Sequence, residues 1–216
     1  MTAAAFERIG AGCFVIGSTL LAGYAVLFSV VLPVRGDDLN YAGLVLSPGW
    51  AGLALAAFVG VILLLFGLDI VYSRIRATTG LVGTAGFCLT KVALILQACV
   101  LTWELFLDPI VAAHAESSFL LRDRVFVTDP AITIFRWASI IAVLVGVPLF
   151  GFAVYRSRLF PKMALLLIAV GALVYAVGPL LSMLVGICGV ITLSVGCLML
   201  AVRLWRRPDV SLEDVH

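Results

Sequence analysis

The sequence predicts an all-α membrane protein, a bundle of six transmembrane helices with both termini on the cytoplasmic side. Three observations carry this. Hydrophobic residues make up 63% of the 216 and charged residues only 12%, with a mean hydropathy of +1.21. A soluble domain is about half apolar and about a quarter charged, and a globule of this size cannot hide so much apolar surface from water. The apolar residues are also gathered into long runs, each near the roughly 20 residues a membrane-spanning helix needs. The basic residues, finally, gather in the short connections between runs. Soluble-enzyme, fibrous and disordered classes are excluded.

The runs cover residues 9–32, 48–72, 80–107, 130–155, 161–179 and 184–204 of a single transmembrane domain, 1–216. The first is longer than a signal-peptide core, and Pro33-Val34-Arg35 is no small-residue cleavage site, so it reads as a retained span. Ser47-Pro48, Asp108-Pro109 and Thr128-Asp129-Pro130 each set a capping side chain before a proline suited to a first helical turn, predicting helix starts there. Pro161 opens the fifth span in the same way, and Pro148 predicts a kink in the fourth. The last two spans come from one apolar run, Met163 to Leu204, with no charge to divide it, and Gly178-Pro179 is the expected turn between them. The stretch 108–130 is the largest outside the spans. In it Phe119-Leu120-Leu121 and Val125-Phe126-Val127 bracket Arg122-Asp123-Arg124, an amphipathic pattern that predicts a short helix and a strand-like piece lying on the membrane or capping the bundle, or else a partner-binding surface.

Basic residues orient the chain. With the N-terminus inside, Arg8, Arg74, Arg76, Arg156, Arg158, Lys162, Arg203, Arg206 and Arg207 fall on the inner side. Arg35, Arg122, Arg124 and Arg136 fall outside. Trp50, Trp103 and Trp137 mark outer ends, and Tyr72, Tyr155 and Trp205 inner ends, as aromatic belts do. The abundance of Arg over Lys, with Ala, Val, Gly and Leu, reflects GC-rich codons and points to a prokaryote and its cytoplasmic membrane.

Ionisable residues at membrane depth are functional candidates by default. Lys91 lies about eleven residues into the third span. Asp69 lies five residues before Arg74, so the two differ in depth by about 8 Å at 1.5 Å per residue, within reach of a lysine stem. An Asp69–Lys91 pair is expected, either as part of an ion or proton relay or as a lock on helix packing. Thr90, Gln97 and Glu104, spaced by seven, form one polar stripe on the third span, which lines a wet path or bonds neighbouring helices. Arg136, at the start of the fourth span, is the expected partner of Glu104.

Catalytic and cofactor signatures are missing. His114 and His216 fall outside the spans, so no pair of histidines can hold a haem between helices. There is no GxxxxGK[ST] phosphate loop and no GxSxG elbow. Phe66-Gly67-Leu68-Asp69 lacks the GxGD pattern of intramembrane aspartyl proteases. A lysine in the third of six spans is not the retinal-protein pattern. Cys13, Cys88, Cys99, Cys188 and Cys197 lie in apolar runs without a CxxC, so neither disulfide nor metal site is expected. With a net charge of +2 the chain has no clustered basic surface for nucleic acid.

Gly60, Gly67 and Arg74 in span two share their spacing of seven with Gly189, Gly196 and Arg203 in span six. This reflects either a parallel repeat or the heptad glycines of closely packed helices. The first functional reading is therefore a non-enzymatic membrane protein without cofactors, an accessory or assembly subunit whose partners are membrane lipids and another membrane protein or further copies of itself. The alternative is a small transporter or channel using Lys91, Asp69, Gln97 and Glu104. No motif is specific enough to assign a family.

Overall fold

The computed structural model describes residues 3–31, 41–114, 116–117, 119–122 and 129–206. Among the described residues every regular element is helical: α1 (Ala3–Val31), α2 (Tyr41–Val45), α3 (Trp50–Thr102), α4 (Asp108–Ala113), α5 (Phe119–Arg122), α6 (Pro130–Ser157), α7 (Lys162–Leu181) and α8 (Met183–Arg206). Four helical stretches are long and apolar enough to cross a membrane, Ala5–Phe28, Trp50–Ala113, Pro130–Ser157 and Leu184–Arg206, and Lys162–Gly178 is a shorter apolar helix. Helices of this kind are those of a membrane-embedded protein.

A straight α3 of 53 residues would reach about 80 Å at 1.5 Å per residue, far beyond a hydrocarbon core of about 30 Å. It does not run straight. Gly80 takes φ 59°, ψ −167°, a conformation that a side chain all but forbids, and the chain reverses there. Residues on either side then pair in antiparallel order: Tyr72 with Thr84, Asp69 with Lys91, Trp50 with Glu104. α3 is thus a hairpin of two limbs, 50–79 and 81–102. The stretch 73–79, expected as a link between spans, is the helical end of the first limb.

The helices close into a ring in chain order. α1 lies on the first limb where Gly17 and Gly60 each meet the other's carbonyl. The second limb lies on α6: a Cβ on Gly86 would stand 2.4 Å from the Phe150 nitrogen, and one on Gly146 2.6 Å from the Thr90 nitrogen. α6 contacts α7. α7 and α8 approach most closely of all, with Gly171 against the Leu193 backbone, Gly189 against Tyr175 and Gly178 against Gly186. α8 returns to α1, where the Ser194 hydroxyl donates to the Ser18 carbonyl at 3.1 Å. At the ring centre is an apolar cavity of about 110 Å³ that every limb helps to line, among them Phe14, Leu64, Leu94, Phe150, Leu165 and Leu193. At one end of the ring α2, α4 and α5 cover Trp50, with Val45, Val111, Ala112 and Leu121 in one apolar cluster. This is the capping part of the expected outer segment; Val125-Phe126-Val127 lies outside the described residues.

Several proline signals act differently from expectation. Asp129 does cap α6, accepting from the Ala131 and Ile132 N–H groups at 2.9 and 3.3 Å, and Pro161 does open α7. Ser47, however, caps nothing with its side chain. α3 starts at Trp50 after Gly49, with Pro48 in the preceding turn. Asp108-Pro109 does open α4, with the proline in its first turn but no side-chain cap, and α4 follows directly on a π-helical turn at Trp103–Leu107 that ends the second limb. The wider turn lets the Asp108 N–H reach the Trp103 carbonyl and relieves the clash a proline makes with the preceding turn. Gly178-Pro179 is not the turn between the last two helices. α7 runs through it to Leu181, and the break falls at Ser182, which is extended (φ −163°, ψ 155°). A proline in a last turn forfeits one bond without ending the helix, and Gly178 provides close approach to Gly186. Pro148 lies inside α6, as expected.

Candidate functional site

Among the described residues a polar group is built across the Gly80 hairpin. Asp69 and Lys91 stand eleven residues before and after Gly80, so both lie about 16 Å from the turn. Extending the first limb to Thr79 removes the depth offset expected when 73–79 was read as a link. Lys91 Nζ donates to Asp69 Oδ1 at 2.7 Å and to Oδ2 at 3.0 Å. One turn toward Gly80, Tyr72 and Phe87 stack with centroids 3.9 Å apart. The Lys91 ammonium sits 5.5 Å from the Phe87 ring centre, within cation–π range. Tyr72 Oη and Thr84 Oγ1 are 3.0 Å apart. The pair does not face the ring centre: Leu68 and Thr90 line the cavity, but Asp69 and Lys91, one residue on, do not. Their side chains are 39% and 38% exposed on the outer surface.

The stripe on the second limb is divided among three surroundings. Thr90 is buried at the cavity wall and its hydroxyl donates to the Gly86 carbonyl of its own helix at 2.8 Å. Gln97 is half-buried and does not reach the cavity. Glu104 lies in the π-helical turn, where Oε2 accepts from the Tyr24 hydroxyl at 2.9 Å. The Glu104 carbonyl accepts from the Trp50 indole N–H at 2.8 Å. The expected Glu104–Arg136 pair is absent. Arg136 is exposed on α6, and the carboxylate turns to α1.

One pair escaped the sequence reading. Glu7 and Arg74 form an ion pair between α1 and the first limb. Glu7 is 7% exposed, and its Oε2 has no partner among the described residues. The signal was Glu7 just before the first apolar run; α1 starts at Ala3, so Glu7 lies inside a helix. Tyr72 and Phe87 were readable at helical spacing from Asp69 and Lys91. Tyr24 carried no such signal, being 80 residues from Glu104.

Among the described residues no three His, Cys, Asp or Glu side chains converge as a metal site would require. Asp69, Glu104 and Glu7 each meet a donor from a neighbouring helix or limb, and the lining of the central cavity is apolar apart from Thr90. Thr90 is the one hydroxyl in that lining and is bonded within its own helix, so the described lining offers an ion few ligands. Comparison with family models, with curated proteins and with solved structures found no match, so this geometry alone carries the functional argument.

Proposed function

We propose that the chain is a non-enzymatic protein of a prokaryotic cytoplasmic membrane that crosses the bilayer six times, has both termini inside, and acts as an assembly or accessory subunit. The observation that carries this is the apolar cavity at the centre of the ring. A transporter of ions or polar solutes needs polar groups along a continuous route, whereas here Asp69, Lys91 and Glu104 bond across to neighbouring limbs and do not line the cavity. The two limbs of α3 count as two crossings, and α7 is a sixth with its 20 residues.

Ion and proton flux into reconstituted liposomes tests the reading. Wild type is expected to give no flux above protein-free liposomes, and Glu104→Gln and Lys91→Met are expected to change nothing. Flux that falls in either variant while the fold is retained overturns the subunit reading in favour of transport.

A further inference from the structure

We propose that two copies of this chain pair side by side in the membrane through the Asp69–Lys91 face, each copy's Lys91 bonding the other's Asp69. The proposal rests on the membrane placement above. Asp69 is five residues from Arg74, about 7–8 Å along the helix, so the pair lies inside the bilayer near its cytoplasmic side. There its exposed outer surface meets lipid, with exposed Phe66, Cys88 and Ile95 around it. Charge in contact with lipid is unfavourable, and the pair retains bonding capacity. An ammonium has three N–H donors. Two of Lys91's reach Asp69, and each carboxylate oxygen can accept more than one bond.

The occupant follows from symmetry. Asp69 and Lys91 are level, each eleven residues from Gly80, so the charges lie beside one another across the hairpin rather than one above the other. Copies with the same topology relate by a two-fold axis along the membrane normal, the commonest symmetry of a homodimer. That axis exchanges left and right and leaves depth unchanged. It therefore sets the Asp69 of one copy against the Lys91 of the other, twice. Had the charges been stacked along the normal, the same axis would have set like against like. The result is a ring of four alternating charges, each with two opposite neighbours, closed off from lipid by two apolar rims.

The same geometry supplies the test. In the exchanged variant, carrying Asp69→Lys and Lys91→Asp together, the internal pair is preserved and two such copies are again complementary. A wild-type copy facing an exchanged copy sets acid on acid and base on base. Like charges across an interface are strongly unfavourable, so mixed pairs should be at least about tenfold fewer than like pairs. Fluorescently tagged wild-type and exchanged chains are reconstituted in liposomes, and energy transfer is read over a series of lipid dilutions. Transfer is expected for wild type with wild type and for exchanged with exchanged, and not for the mixture. Equal transfer in all three combinations, or none for wild type at any dilution, overturns the proposal, including where an anionic lipid or another protein is found on the face instead. Should the exchanged chain fail to fold, Asp69→Asn with Lys91→Met decides: its transfer must fall while its unfolding temperature shows it folded, and unchanged transfer overturns the proposal. Thiol labelling of Ser157→Cys in intact cells checks the membrane placement separately, so a wrong topology is distinguished from a missing dimer.

Discussion

Glu7 and Arg74 test how strongly one pair holds two helices. With Glu7 buried and its partner removed, Arg74→Met leaves a carboxylate without its cation, which typically costs about 3–5 kcal/mol. Glu7→Gln combined with Arg74→Met is expected to unfold above Arg74→Met alone in thermal denaturation in detergent. Equal unfolding temperatures would mean the pair is not coupled. The more exposed Asp69–Lys91 pair should show a smaller but non-zero coupling between Asp69→Asn and Lys91→Met, since residues in direct contact are rarely additive. That pair was legible in the sequence because two opposite charges stood inside adjacent apolar runs. The partner of Glu104 was not. Periodicity shows which face of a helix a residue occupies, but the helix lying against that face depends on how the ring closes. Closure brings α1 and Tyr24 to Glu104 and leaves Arg136 on the outside.

Helix contacts in this fold are set by glycine, and that is testable pair by pair. A Cβ on Gly189 would lie 2.3 Å from the Tyr175 nitrogen and 2.8 Å from its Cα, backbone atoms that cannot swing aside. Gly189→Ala must therefore push α7 from α8, at the roughly 1–3 kcal/mol typical of overpacking. Gly151→Ala on α6 meets nothing within 4 Å and should be neutral or slightly stabilising, because alanine favours helix. Equal unfolding temperatures for the two variants would contradict the close approach. Gly80→Ala meets no atom either, but its φ of 59° puts it in a strained region that costs about 1–3 kcal/mol. The seven-residue spacing shared by Gly60–Gly67 and Gly189–Gly196 recurs at Gly10–Gly17 and Gly171–Gly178, all at helix contacts, as close helix packing requires. The existence of the long helices was legible from apolar runs. Their joints were not, because Gly and Pro have two uses. Gly178-Pro179 has the composition of a turn yet provides a contact, while Gly80 provides the turn.

At the scale of the whole molecule most of the described basic residues lie at one end of the ring. Arg74, Arg156, Arg158, Lys162 and Arg203 gather where Ile75, Phe160 and Leu204 share one apolar cluster; Arg203 Nε lies 3.4 Å from the Leu159 carbonyl there. Glu104, Trp50 and the α4–α5 cover occupy the opposite end. Basic residues near helix ends stay on the cytoplasmic side during insertion, and acidic ones contribute little to that choice, so pairing of Arg74 with Glu7 does not weaken the signal. The basic end should face the cytoplasm and the covered end the outside. Single cysteines at Ser157→Cys and Glu116→Cys, on a chain with all five native cysteines replaced, report on the two ends. An impermeant thiol reagent applied to intact cells is expected to label the cysteine at 116 and to leave the one at 157 unlabelled until the membrane is opened. Aromatic residues alone would orient the chain less securely. Trp50, expected in an interfacial belt, is instead 3% exposed and anchored to the Glu104 carbonyl, while Trp137 and Trp205 are exposed at opposite ends. Labelling at 157 but not at 116 in intact cells would invert the protein. It would also put the Asp69–Lys91 face near the outer leaflet, where the two-fold pairing would still form, since it needs only the two charges level and both copies inserted the same way.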